Sequence, residues 1–417
     1  MRICFLSYRG NMYSGGQGIY LYYLTRELAR LGHRITVLAG PPYPWDMAWA
    51  NVIKITNHRY YARRLTNYDL VSLFKTFSPL NFYEFALTRF WFFPEMLTYS
   101  IRAFFKLAEL LRAGEKFDII HDNQCLGYGQ VLLKGFGIPV IASIHHPLAM
   151  DRGADFIQSH TVIERARRVA FYPFVMQKIV AKQMEMVISG SKNSADAVQK
   201  AFGLDPRKMR VVYDGIDDTV FYPRPEVKRV KGRLIFVGNT EDRKKGILYL
   251  IQALAQLPND VSLVIVDGGA KWKFYLNQLM DRFKVRHRIQ IKERLSPEEL
   301  ALEYCQAELG VVPSLYEGFG LPAAEAMACA TPVVSTDAGA LPEVVGNDGA
   351  GVLVPAKNSK ALRDKILYLL DKPGLREEMG RKASERVKSL FTWSECARGT
   401  EAVYEELLCR RRENAHG

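Results

Sequence analysis

Cysteine is scarce in this chain and never clustered. Six occur in 417 residues, at Cys4, Cys125, Cys305, Cys329, Cys396 and Cys409, without a CxxC pair. That spacing excludes a disulfide scaffold and a zinc knuckle, and it reads as reduced thiols in a cytoplasmic chain. Long apolar runs are missing too. The longest stretches free of charge, residues 10–25 and 135–150, hold 16 residues each and are broken by Gly, Pro or His. A bilayer span needs roughly 18 to 20 apolar residues, so no membrane crossing is expected. The N-terminus opens directly on an apolar strand and lacks the pattern of a cleaved secretory leader. No DxD triplet is present, so no metal ligand is assigned. No acid closes the second predicted strand, which ends in Ala39, Gly40 and Pro41; a dinucleotide-binding fold would place one there.

Negative charge is short in one half only. Lys and Arg number 57 against 44 Asp and Glu, a net +13. Residues 1–215 carry 27 basic and 16 acidic side chains, whereas residues 216–417 carry 30 and 28. An anionic partner surface, nucleic acid or membrane, is therefore to be sought in the first half.

What is present is an alternation of short apolar strands with helical periodicity. Residues 2–7, 35–39, 118–121, 140–144, 186–189 and 210–212 read as buried strands, with a helix over 20–31. A second series follows, with strands at 233–238, 261–266, 289–291, 309–312, 332–335 and 351–354 and helices at 247–257 and 322–328. Residues 215–232, with two prolines and no period, read as a linker. The expectation is α/β: two doubly wound Rossmann-like domains facing a central cleft. The first spans residues 1–215, carries an insertion near 60–112 and is completed by a C-terminal helix over 390–417. The second spans 216–389.

Four strings carry chemistry. The loop at residues 14–18 has Gly15 and Gly16 before a helix, where backbone amides can face an anion. Residues 314–325, SLYEGFGLPAAE, place Glu317 and Glu325 at the two ends of a turn containing Gly318, Phe319, Gly320 and Leu321. Two carboxylates flanking a glycine-rich helix start suit a ligand with hydroxyls at both ends and phosphate between. Residues 238–246, GNTEDRKKG, set Gly238 and Asn239 ahead of Arg243, Lys244 and Lys245. Three cations before a helix N-terminus oppose its dipole, which favours an anionic ligand there. Finally, residues 143–147, SIHHP, put His145 and His146 after an apolar strand. Two adjacent histidines are by themselves more often structural.

The string EGFGLPAAEAMACATPVVSTDAGALPEVV resembles that of the retaining family-4 glycosyltransferases, which have the GT-B fold and use sugar nucleotides. The similarity extends over SGGQGIYLYYLTRELARLGHRITVL, FDIIH, IASIHHP, VISGSKNSADAV, VVYDGID and VGNTEDRKKGILYLIQAL. It implies that Glu325 binds the nucleotide ribose and Glu317 the donor sugar, with the amides of Gly318, Phe319, Gly320 and Leu321 on sugar hydroxyls and diphosphate. It implies a cationic role at the leaving phosphate for Lys245; Asn239 stands where the family has an arginine, which Arg243 or Lys244 can replace. His145 aligns with a histidine facing the donor sugar, and Gly15, Gly16 and Gly238 line the donor. Arg294 and Leu295 fall in the loop against the nucleotide base, just before a capping-box pattern at Ser296 and Glu299. Trp393 anchors the last helix. The donor is a nucleoside-diphosphate sugar and no further cofactor is required. Alternatives on the same fold are a sugar-nucleotide epimerase, a phosphorylase, or a transferase acting on a small soluble acceptor; a non-catalytic membrane scaffold is another.

Residues 60–105 hold fifteen aromatics, including Phe90, Trp91, Phe92 and Phe93, interleaved with Arg and Lys. Mixed with Leu and Ile at helical spacing, they suit an anionic lipid surface better than stacked nucleic acid bases. Residues 164–182 have the same character. The expected partner is therefore a lipid-linked or envelope glycan acceptor at the cytoplasmic face of a membrane, with internal packing or an oligomer contact as the alternative and no nucleic acid.

Overall fold

The computed structural model describes residues 1–10, 16–56, 78–89, 94–145, 174–268 and 273–416. The chain divides into two compact units. One comprises Met1–Ser189, Ala195–Val212 and Ala397–Gly417, the other Gly190–Ser194 and Tyr213–Cys396. The division falls after Val212, ahead of the expected 215, because Tyr213 packs edge-on against Phe391 and the Ile216 N–H donates to the Phe391 carbonyl, 2.8 Å away.

As far as residue 212 the chain forms β1 (Arg2–Ser7), α1 (Gln17–Arg30), β2 (Arg34–Ala39), β3 (Ala50–Lys54), α2 (Pro79–Arg89), α3 (Glu95–Arg112), β4 (Ile119–Asn123), α4 (Gly129–Leu132), β5 (Val140–Ser143), α5 (Phe174–Gln183), β6 (Met186–Ser189), α6 (Lys192–Phe202) and β7 (Met209–Val211). The seven strands pair in parallel in the order β3-β2-β1-β4-β5-β6-β7. β4, β5 and β6 are buried along their whole length, as expected of parallel strands covered on both faces. The strand reading misses β3. It is an edge strand with no buried residue, so it lacks the apolar run by which buried strands are recognised.

Part of the aromatic insertion is core. On α3, Met96, Tyr99, Ala103 and Leu107 recur at helical spacing and are all buried, and the Tyr99 hydroxyl donates to the Leu38 carbonyl at 2.5 Å. Burying side chains the size of Met96 and Leu107 stabilises the unit by about 1.5–3 kcal/mol each. Phe82 and Tyr83 on α2 and Phe105 on α3 are exposed. The Phe90 to Phe93 cluster lies outside the described residues.

From residue 233 the chain continues with β8 (Arg233–Val237), α7 (Ile247–Leu254), β9 (Ser262–Asp267), α8 (Phe274–Arg282), β10 (Ile289–Glu293), α9 (Pro297–Gln306), β11 (Leu309–Val312), α10 (Leu321–Ala328), β12 (Val333–Thr336), α11 (Leu341–Val345), β13 (Gly351–Val354), α12 (Ser359–Leu370), α13 (Pro373–Leu390) and α14 (Trp393–His416). Six parallel strands run in the order β10-β9-β8-β11-β12-β13. The segment read as a linker is packed into this unit: Ile216 and Phe221 are buried, and Arg229 donates to the carbonyls of Ala307 and Ala330.

Strand order reverses between β1 and β4 in one sheet and between β8 and β11 in the other. In open parallel sheets the loops leaving the carboxyl ends at such a point part in opposite directions and leave a crevice for ligands. Among the described residues no helix is long and apolar enough to cross a membrane.

Candidate active site

Two loops leave the β8 and β11 ends and dock on each other. The first, residues 238–246, is fixed at its start by Asp267 at the end of β9, whose carboxylate accepts from the Thr240 hydroxyl (2.5 Å) and N–H (3.2 Å). Asn239 Oδ1 accepts from the Glu241 N–H at 3.0 Å, so this side chain closes its own turn. Gly246 ends the loop at φ 68°, and a Cβ there would stand 1.9 Å from the Pro313 carbonyl oxygen. Only glycine permits that approach. It brings the Leu315 N–H to the Lys244 carbonyl at 2.7 Å.

This docking sets Lys245 on Glu317. Lys245 Nζ donates to Glu317 Oε1 at 2.9 Å and Oε2 at 3.1 Å, and the Ser314 hydroxyl donates to Oε1 at 2.7 Å. From behind, Gly339 at φ 61° leaves room for the Glu317 backbone, where a Cβ would meet the Glu317 oxygen at 2.3 Å, and the Ala340 N–H donates to that same oxygen at 3.0 Å. Glu317 is 8% exposed, so the ion pair is largely shielded from water. The three cations of the basic loop do not form one patch. The Arg243 guanidinium lies over the Tyr275 ring, 5.1 Å from its centroid, and Lys244 lies 4.0 Å from Asp242.

The turn after Glu317 is held at each residue. The Gly318 carbonyl accepts from the hydroxyls of Ser191 (2.6 Å) and Ser194 (2.9 Å), and Phe319 is buried edge-on against Phe391. Gly320, at φ 106°, is the N-cap of α10, with Leu321 its first residue. Glu325, one turn into α10, accepts from the Tyr304 hydroxyl at 2.9 Å. The protein around this carboxyl pushes its pKa up to about 7, against the opposing pull of the Tyr304 bond. Arg294 is exposed at φ 50°, and Leu295 packs on the core beside it. Behind them Ser296 and Glu299 form a capping box on α9.

In the other unit, the described expected residues lie at the start of α1 and after β5. Gly16 is the N-cap of α1 at φ 70°; Gly15 and His146 lie outside the described residues. His145 follows β5. Its N–H donates to Gln124 Oε1 at 2.8 Å, its Nε2 lies 3.3 Å from Asn123 Oδ1, and its ring stands at 77° to Tyr20. Asn123 also donates to the Gln17 carbonyl at 2.9 Å, tying β4 to the first turn of α1. Next to it, burial pushes the Asp122 carboxyl up to about 7 while Gln130 and backbone N–H groups pull it down.

Sequence reasoning missed Ser314, Gly339, Tyr304, Asp267 and the serine pair Ser191 and Ser194. Ser314, Gly339, Ser191 and Ser194 lay in strings already quoted, but none was given a role there. Tyr304 and Asp267 act on residues more than 20 positions away and leave no local pattern. A cavity of about 860 Å³ opens elsewhere in the second unit, lined by Ile216, Phe221, Arg229 and Val387 among others, and no expected donor residue lines it. Among the described residues no group of three or more His, Cys, Asp or Glu is placed to hold a metal ion.

Comparison with known proteins gives two family matches: Glycosyltransferase Family 4 over residues 14–220 and Glycosyl transferases group 1 over residues 222–386. The chain is 36% identical over 420 residues to an MMP alpha-(1->4)-mannosyltransferase of Mycolicibacterium hassiacum, covering 98% of this chain and 99% of that protein. It is 26% identical to a D-inositol 3-phosphate glycosyltransferase of Streptomyces bingchenggensis, over 72% of this chain and 70% of the relative. Among solved structures, sucrose-phosphate synthase from Thermosynechococcus elongatus superposes with a TM-score of 0.74 at 23% identity, covering 98% of this chain and 100% of that one. HepE from Anabaena, in complex with UDP, gives 0.69 at 18% identity over 97% and 100%.

Proposed function

We propose, because the chain belongs to glycosyltransferase family 4 and has the GT-B fold, that it transfers a hexosyl group, mannosyl first, from a nucleoside-diphosphate sugar to a glycan hydroxyl with retention at the anomeric carbon. The name of the mannosyltransferase relative supports the choice of sugar. The observation that carries the reading is the shielded pair of Lys245 and Glu317 at the β8 and β11 ends.

Glu317 Oε1 accepts two hydrogen bonds and Oε2 one, which leaves Oε2 a lone pair for a sugar hydroxyl. Lys245 has three N–H donors, two of them on Glu317, and the third is available to a phosphate oxygen. Glu325 takes the ribose hydroxyls, and the amides of Gly318 to Leu321 take the remaining oxygens. Arg294 and Leu295 sit against the base, and His145 is the residue that the family pattern assigns to the donor sugar. In the reaction the bond from the anomeric carbon to the phosphate oxygen breaks while the acceptor oxygen bonds on the same face. The acceptor proton passes to the departing phosphate. Lys245 meets the charge that develops there, the placement by which preorganised groups lower such barriers.

The acceptor is presented at an anionic membrane, where the protein associates peripherally on the cytoplasmic side. Supporting this are the excess of positive charge in residues 1–215 and the exposure of Phe82, Phe105, Val175 and Ile179. Transfer assays with Lys245→Ala and Glu325→Ala test the core of the proposal. Each should lose about 100-fold or more in kcat/KM, and full activity in both would overturn it.

A further inference from the structure

Four polar side chains that the proposed chemistry leaves unused form an unbroken series inside the first unit. Tyr404 Oη on α14 lies 2.6 Å from His121 Nδ1 on β4; His121 Nε2 lies 2.7 Å from Ser143 Oγ on β5; Ser143 Oγ lies 2.7 Å from Tyr20 Oη on α1. None is more than 3% exposed. The Tyr20 ring then meets the His145 ring edge to face, with centroids 4.5 Å apart. Stability alone does not require these polar atoms, because apolar groups of the same shape fill such a core at least as well.

The series is directional. Burial drives the His121 pKa down to about 3, with His145 acting in the same sense, so the ring is neutral. A neutral imidazole donates through one nitrogen and accepts through the other. The bonds on its two sides therefore point the same way along the chain, with Tyr404 and Ser143 taking opposite donor and acceptor roles toward the ring. Phe5, stacked on His121 at 4.7 Å, holds the plane of the ring. His145 is thereby held between the Tyr20 ring and the Asn123 and Gln124 side chains at the end of β4.

We propose that Tyr404, through His121, Ser143 and Tyr20, is a positioning residue for the His145 imidazole. This rests on the reading of His145 as the group facing the donor sugar. Tyr404→Phe removes one hydroxyl and almost no volume, and Tyr20→Phe does the same at the other end. The full-length protein, isotope-labelled at its histidine nitrogens, gives ring signals assigned with His121→Gln and His145→Ala. Tyr404→Phe should move the signals of both His121 and His145. It should also lower kcat about five- to tenfold, the worth of one buried hydrogen bond, with donor KM unchanged. Turnover is measured with the most active of UDP-, GDP- and ADP-linked mannose and glucose, and Tyr20→Phe should give the same split. In a His145→Ala background the effect of Tyr404→Phe on kcat should vanish.

A signal change confined to His121, or a loss of kcat that persists undiminished without His145, would make the series a core feature only and overturn the proposal. If His145→Ala alone leaves kcat unchanged, the sugar-facing reading of His145 fails and the proposal falls with it. The two failures are thus told apart by the single variant.

Discussion

In the second unit the side chains at the sheet ends are held by charge, with Lys245 on both oxygens of Glu317 and Asp267 on Thr240. In the first they are held by neutral groups in series: Tyr404, His121, Ser143 and Tyr20, then His145 by ring contact. Under the proposed function, the difference matches what each unit would meet. A diphosphate would bring charge to be matched by fixed cations and amides, with carboxylates beside them accepting from hydroxyls, whereas an uncharged sugar alone can be met by oriented neutral groups. The almost neutral balance of the second unit is consistent with this, because a few placed cations suffice where amides share the task.

Breaking the charged arrangement should have the largest effect. Gly246→Val places a branched side chain at φ 68° where the Pro313 oxygen stands 1.9 Å from the new Cβ, so the basic loop must part from the loop carrying Glu317. Denaturant unfolding should show a loss of about 2–4 kcal/mol, together with loss of donor binding. A variant as stable as the parent with its donor affinity intact would show that the loop contact does not place Lys245.

A smaller effect, one of pH, is expected at Glu325. The Glu325 carboxyl is raised from its ordinary 4.5 to about 7 by burial, so folding favours its protonated form. Its contribution to stability is then complete below about pH 4.5 and is lost as pH rises through about 7. Donor binding runs the other way, since ribose hydroxyls donate to the ionised form. Below about pH 7 the affinity should fall by up to about tenfold per unit, and Glu325→Gln should abolish that slope. Calorimetric titration across this range checks it; a parent slope equal to that of Glu325→Gln would remove Glu325 from donor binding.

The smallest change expected is at the exposed aromatics. Phe105 is 65% exposed, so Phe105→Ser should alter stability by no more than about 0.5 kcal/mol while weakening flotation with vesicles rich in acidic lipid. Equal flotation with neutral and acidic vesicles would remove the anionic lipid surface from the account.

The candidate site was legible in the sequence where chemistry and local spacing coincide. Glu317, the glycines after it and Glu325 lie within one turn and its helix, and Lys245 stands just before a helix-starting glycine. Tyr304, Asp267 and Gly339 were not legible as partners, because each reaches its target across the fold and a tyrosine in the last turn of α9 reads simply as core. The fold was legible through its buried parallel strands. β3 escaped because an edge strand half in water has no continuous apolar run. Residues 215–232 were read as a linker because two prolines and several charges outweigh isolated apolar residues, yet Ile216 and Phe221 each fill a core position. The aromatic insertion was read as a surface, but the stripe through Met96 and Tyr99 on α3 turns inward.

The account rests most directly on a sugar nucleotide binding the second unit between Lys245 and Glu325, and thermal-shift screening of the full-length protein against UDP-, GDP- and ADP-linked hexoses measures this. One nucleotide sugar should raise the melting temperature of the parent and leave Lys245→Ala and Glu325→Ala unmoved. A panel that shifts none of the three proteins, or shifts all three equally, would contradict it.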